Sequence, residues 1–270
     1  MKKNFLLKIT KAIMWLLSIF MIGKELLILQ TMFTIESFDI RQFTYSISLL
    51  LIYIIPIFTL SIVTLKVEKV PIGAFLLAFV SGGFMIGSFS GLLNYSLTNL
   101  LIPKDSSLTL WIPSIVPPFT EELLKISVVL LIVYIFKCKT LKSWLVIGVG
   151  AGLGFQFLED YTYILSEFID GNMNAFNQAL QRIQYSFSTH WLMTGIFAAA
   201  IFLLIYKRNS VKTYILIYLI SFSWIYHIIW NSPYVDYNKL IQPCLGIIGL
   251  LTLWYVVRLD NKLSKCSEKN

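Results

Sequence analysis

The sequence predicts an all-α fold: a polytopic membrane bundle of about eight transmembrane helices, with both termini on one, cytoplasmic side. Three observations carry this. Of the 270 residues 57% are hydrophobic and only 13% charged, with a mean hydropathy of +0.75, whereas soluble domains carry roughly 25% charged residues. Apolar stretches long enough to cross about 30 Å of hydrocarbon recur along the chain. The lysines and arginines between them alternate from one side to the other. The net charge of +8 does not indicate a nucleic-acid partner, because the lysines fall in short clusters between apolar runs instead of along one basic face. The partner implied is the lipid bilayer.

The first apolar stretch, 12–33, follows Lys2 and Lys3 without a small-residue cleavage site, so it reads as a retained span. Lys24 and Glu25 interrupt it, and the two pair locally or Lys24 snorkels. The second and third stretches are 44–65 and 71–95, the third with Gly83, Gly87 and Gly91 at a spacing of four that lets helices approach closely. Leu101 to Val116, with Trp111 and two prolines, reads as an outer interfacial loop. The fourth stretch, 117–136, opens on Pro117-Pro118-Phe119-Thr120-Glu121-Glu122-Leu123-Leu124-Lys125, where prolines suit a first helical turn and acids suit its positive end. The fifth, 143–166, carries Gly148, Gly150, Gly152 and Gly154, again a packing row. A polar segment follows, with a turn signal at Asp170-Gly171-Asn172 and a short surface helix over Phe176–Ile183. Stretches 187–206, 211–231 and 238–257 and a basic tail complete the chain.

This layout separates the charges. One side collects Lys2, Lys3, Lys8, Lys11, Lys66, Lys69, Lys137, Lys139, Lys142, Lys207, Arg208, Lys212, Arg258, Lys262, Lys265 and Lys269, and the other only Arg41, Lys104, Arg182 and Lys239. The rich side is cytoplasmic. Cys138, Cys244 and Cys266 show neither metal nor disulfide spacing.

Ionisable residues inside spans are costly and mark function. Glu121, Glu122 and Lys125 lie early in the fourth span, Glu159 and Asp160 late in the fifth, His190 early in the sixth, and His227 with Asn231 late in the seventh. All of these positions fall within about two turns of the outer boundary, and the set includes both histidines of the chain. Glu121 and Glu122 are four and three residues from Lys125, so either can pair with it, while the two acids point about 100° apart. Two chemistries fit. Glu122, Glu159, His190 and His227 can hold a metal, Zn2+ being the natural choice, with one position left for water. Alternatively, with no metal, a glutamate takes a proton from water while His227 and Asn231 donate to the developing oxyanion and Lys125 neutralises one acid. Two other classes use such residues: a proton-coupled transporter, which places them near the midplane on broken helices, and a non-catalytic immunity or scaffold protein.

In order, Glu121-Glu122-x-x-Lys125, Phe155-x-x-x-Glu159-Asp160-x-x-Tyr163, Arg182 with His190, and His227-x-x-x-Asn231 resemble the PrsW family of polytopic membrane proteases, related to the type II CAAX prenyl endopeptidases and the Abi immunity proteins. The likeness spans residues 117–231. It implies a membrane endopeptidase of the bacterial cell membrane that cuts a membrane-bound protein near the extracytoplasmic face, the best-known substrate being an anti-sigma factor cut at site 1. It also implies that the paired glutamates, Glu159 and both histidines form the catalytic set. Members usually carry Asn where this chain has Asp160, and the CAAX relatives carry His where it has Glu159. The implied organisation is N-terminal helices over 1–110, a catalytic core over 111–235, and a last helix with basic tail over 236–270.

Overall fold

The computed structural model describes residues 2–36, 38–101, 107–170, 174–186 and 188–267; Lys104, Gly171, Asn172, Phe187 and Lys269 lie outside them. Among the described residues the chain is helical, with no strand. α1 spans Lys2–Met32, and α2 (Ile40–Leu49) and α3 (Leu51–Val67) form one segment bent by 40°. α4 (Ile72–Val80) continues through a π-helical turn at Ser81–Gly87 into α5 (Ser88–Leu101). Then follow α6 (Ile112–Ile135), α7 (Leu141–Ile169), α8 (Ala175–Ser186), α9 (His190–Tyr206), α10 (Thr213–Trp230), α11 (Tyr234–Tyr237) and α12 (Ile241–Ser267). Six helical stretches are long and apolar enough to cross a membrane, or seven if the bent pair is one span. α6 has 24 residues but carries Glu121, Glu122 and Lys125, so apolar length alone does not bring the number to the expected eight. The chain is a multi-pass membrane protein.

The segment expected as an outer loop is largely helical. A 3-10 turn occupies Ser107–Leu110, and α6 begins at Ile112 with Pro113 in its first turn, where no backbone N–H is needed. Pro117 and Pro118 therefore sit inside the helix and do not open it. The Ser114 hydroxyl donates to the Asn231 carbonyl at 2.6 Å and ties this first turn to the end of α10. Glu121 thus lies nine residues beyond the helix start and Glu159 ten before the end of α7, about 15 Å along each axis. Measured from helix ends, both lie between about two and three turns in. The bend at Leu50 was also unforeseen, since Pro56 lies within α3, away from it.

α7 is the central post, buried on nearly every side, with α9 on one flank and α4 with the π turn on another. Its glycines make that possible. A Cβ at Gly148 would stand 2.6 Å from the Thr194 carbonyl, one at Gly152 would strike the backbone of His190, and one at Gly154 the carbonyl of Phe79. On the facing helix Gly82 and Gly83 press on Ala151 and Gly154. The packing role read for the glycine rows holds at these positions. Gly91 differs, for none of the described residues lies within 4 Å of where its Cβ would be. α1 and α12 lie at the periphery, and apolar side chains such as Phe20, Leu60, Leu92 and Ile217 face outward, as a lipid-solvated surface requires. The short surface helix is present as α8, and Lys24 pairs with Glu25 at 3.0 Å.

Overpacking the central contact is the sharpest test of this arrangement. Gly154→Ala places a methyl against backbone atoms that cannot rotate away, and it is expected to cost about 1–3 kcal/mol. Gly73→Ala, with open space around it, should stay within about 0.5 kcal/mol of the parent. Thermal unfolding of both variants in detergent checks this, and equal midpoints would refute the close α4–α7 approach.

Candidate active site

The glycine contacts decide where the polar residues meet. Because Gly152 receives the backbone of His190, the first residue of α9 is fixed against α7 two turns before Glu159. Its turn is latched by three bonds, the first two buried: Thr189 donates to Gln156 at 2.5 Å, Tyr226 donates to the Ser188 carbonyl at 2.6 Å, and Trp191 donates to the Ser186 carbonyl at 2.7 Å. The His190 ring then packs against Phe155 and His227, each centroid 4.9 Å away.

Lys125 is the hub. Its ammonium, fully shielded, donates to Glu122 at 2.9 Å, to Glu121 at 3.4 Å and to His190 Nδ1 at 2.8 Å, and stands 3.7 Å above the Phe155 ring. An ammonium only donates, so His190 accepts at Nδ1 and its Nε2–H donates to Glu159 Oε2 at 3.0 Å. Glu122 is completely buried; among the described residues its second oxygen and His227 Nδ1 have no hydrogen-bond partner, although the imidazole is only 3.3 Å from the first oxygen. Glu121 faces the other way. Asn94 of α5 donates to it at 3.0 Å, and Thr120 in turn donates to Asn94.

Glu159 is held from the far side by Arg182 of α8 at 2.7 Å. The same guanidinium bonds Asp160, which also accepts from Tyr53 of α3 at 2.8 Å, and it stacks 4.5 Å over Tyr163. A cavity of about 690 Å³ adjoins the cluster, with Glu121, Glu159, Pro117 and Asn231 among its walls. Asn231 ends α10, its side chain exposed on that wall and its amide N–H bonded to the His227 carbonyl at 3.0 Å.

All seven expected residues therefore lie on or beside one cavity, but the grouping differs from the expected metal set of Glu122, Glu159, His190 and His227. Among the described residues the group able to hold an ion is Glu121, His190 and His227, with ligand atoms all within 4.8 Å of one another. Glu122 is instead engaged by Lys125, and Glu159 by Arg182. Two imidazoles and a carboxylate suit a zinc-type hydrolytic centre with a position left open. The sequence reading missed Asn94 and Tyr53. Asn94 had a signal, an amide late in an apolar span, whereas a tyrosine in a span is too ordinary to single out.

A sequence model of the PrsW family of intramembrane metalloproteases matches residues 70–258, a longer stretch than the motifs cover. Comparison with curated proteins and with solved structures found no match.

Lys125→Met should cost about 3–5 kcal/mol, because it strands two buried carboxylates. Adding Glu122→Gln should recover much of that loss. Unfolding midpoints of the single and double variants measure both, and a Lys125→Met protein as stable as the parent would show that the hub contributes nothing.

Proposed function

The chain belongs to the PrsW family of intramembrane metalloproteases, and from that premise we propose that it hydrolyses a peptide bond of a membrane-bound protein in the 690 Å³ cavity between α5, α6 and α7. The observation that carries the proposal is the convergence of Glu121, His190 and His227, each less than a tenth exposed, from three separate helices. These three would hold a divalent ion, Zn2+ being the best fit to the donors. Such an ion supplies Lewis acidity, which lowers the proton affinity of a water and polarises a carbonyl.

The remaining residues divide the other tasks. Glu122, with one oxygen free of partners, takes a proton from the attacking water as the water oxygen bonds to the carbonyl carbon. Lys125 holds that carboxylate's other oxygen and offsets the charge of the glutamate pair. When the C–N bond breaks, its electron pair goes to nitrogen, which receives the proton from Glu122; a carboxylic acid and an amine are left, and the acid's remaining proton passes to the amine, giving a carboxylate and an ammonium. Asn231, on the cavity wall, donates its side-chain amide to the oxyanion. Glu159 orients His190 through Nε2, and Arg182 fixes Glu159. Residues 111–235 form the catalytic core in this reading, with Asn94 and Tyr53 reaching into it.

A metal-free glutamate mechanism has one observation in its favour. Both ring nitrogens of His190 are already engaged, by Lys125 and Glu159, which leaves no lone pair for an ion until one contact yields. Chelation separates the two.

Charge distribution and family likeness support a bacterial plasma-membrane location, eight spans with α6 included, cytoplasmic termini, and an anti-sigma factor cut at site 1 as substrate. Reporter fusions at both ends should read cytoplasmic, and an outward-facing terminus would reverse the layout.

Glu122→Gln is expected to lower cleavage about 10²–10⁴-fold while the protein stays folded. Purified protein should carry about one equivalent of zinc, lost together with activity on chelation. Full cleavage by Glu122→Gln would end the proposed role, and chelator-resistant activity in a metal-free preparation would select the glutamate mechanism.

A further inference from the structure

The strongest unassigned feature is the shape of the space between α5 and α7, and its interpretation rests on the protease reading above. The glycines of one helical segment measure it. At Gly82 and Gly83 the backbones of the two helices touch; at Gly87 a Cβ would come nearest to the Leu158 side chain, at 2.7 Å; at Gly91 it would meet none of the described residues within 4 Å. The helices therefore diverge as a V whose closed end is the π turn at Ser81–Gly87. The open part is the cavity that contains Glu121 and Glu159, and Gly91 and Tyr163 on its opposite walls are both exposed. Beside Glu121, Glu122 is fully buried with an oxygen that no group of the described residues satisfies.

The walls carry a particular hydrogen-bonding character. Ser90 donates its hydroxyl to the Gly87 carbonyl at 3.0 Å, Thr162 to the Leu158 carbonyl at 2.8 Å, and Ser166 to the Tyr163 carbonyl at 2.8 Å. Each hydroxyl has spent its only proton and is left as an acceptor, and of the three Thr162 and Ser166 are the accessible ones, Ser90 being buried. A substrate that enters from lipid as a helix brings its backbone N–H groups already paired; it must unwind before its peptide bond can be attacked, and the freed N–H groups then need acceptors. The lining provides them.

We propose that the V between α5 and α7 is the lateral entrance for an unwound segment of the membrane-bound substrate, and that Gly91 sets the size of side chain admitted opposite Tyr163. A substrate with small residues at that point passes along the glycine face. A bulky one fits only because residue 91 has no side chain.

The test uses full-length protein reconstituted in bilayers with quenched-fluorescence peptides. Each peptide has one apolar segment, and one series carries small residues and the other bulky residues at its outer end. In Gly91→Leu, kcat/KM for the bulky series should fall about tenfold more than for the small series. Gly73→Leu, equally open but away from the cavity, should leave that ratio unchanged. A second measurement does not depend on cleavage. In a Gly91→Cys protein with Cys244 and Cys266 replaced by serine, a small neutral thiol reagent should label position 91, and excess peptide should slow that labelling. Cys138 is buried, and burial pushes its thiol up to about 11, so it stays silent. Equal loss for both series, or labelling that peptide does not slow, overturns the entrance while leaving the protease reading standing. Protection of position 91 without any cleavage keeps the entrance and counts against the protease reading.

Discussion

One buried ammonium governs this molecule. Lys125 sits with no exposed surface among two glutamates, a histidine and a phenylalanine ring, and a charge in such surroundings persists only when compensated. Compensation from within α6 is easy, because three- and four-residue spacings bring both acids alongside. Compensation from α9 is demanding, because it requires His190 to arrive at a fixed height. The glycines of α7 meet that requirement, and the close packing of α7 and α9 is in this sense a consequence of the site as much as its support.

The two adjacent glutamates illustrate how a helix separates roles between neighbours. Glu122 turns inward to the lysine, while Glu121 turns toward Asn94 and the cavity. A similar division appears on α7, where Glu159 addresses His190 and Asp160 addresses Tyr53, with one arginine spanning both. Arg182 comes from a short helix outside the main bundle. The inner pair thus has half its charge offset by a cation from its own helix, and the outer pair by a cation lent from outside.

Much of this was legible in the sequence for one reason: charged and imidazole side chains are expensive in apolar segments, so their presence marks where the chain has a use for them. Glu121, Glu122, Lys125, Glu159, His190, His227 and Asn231 stood out on that ground, and the family likeness bound them into one site. That both acids pair with the lysine, Glu122 the more closely, and that Glu121 is the one grouped with the histidines was not legible, because the spacings permit several arrangements and side-chain packing decides. Helix limits are not legible around Trp111 to Pro118, where Pro117 and Pro118 suggest a beginning although α6 starts five residues before them. The bend at Leu50 has no proline or glycine at it to announce it. Gly83, Gly87 and Gly91 read as one uniform row, yet they lie at the apex, the middle and the mouth of a wedge, because spacing along a helix carries no information about the distance to the next one.

The polarity of α6 bears on how the protein is made. Each intramembrane Glu or Lys opposes insertion by about 2.5–3.5 kcal/mol, while each Leu, Ile or Val returns only a few tenths. A nascent α6, carrying three such residues, gains little by leaving the translocation channel alone. α7 follows after a connection of only five residues, Phe136 to Thr140, and opens with a capping box that starts it promptly. The pair is therefore suited to enter lipid as a hairpin, with the internal Lys–Glu contacts already closed. Biogenesis and chemistry make opposing demands on the same three side chains: every substitution that lowers the charge of α6 eases its delivery to the bilayer while dismantling the apparatus it exists to carry.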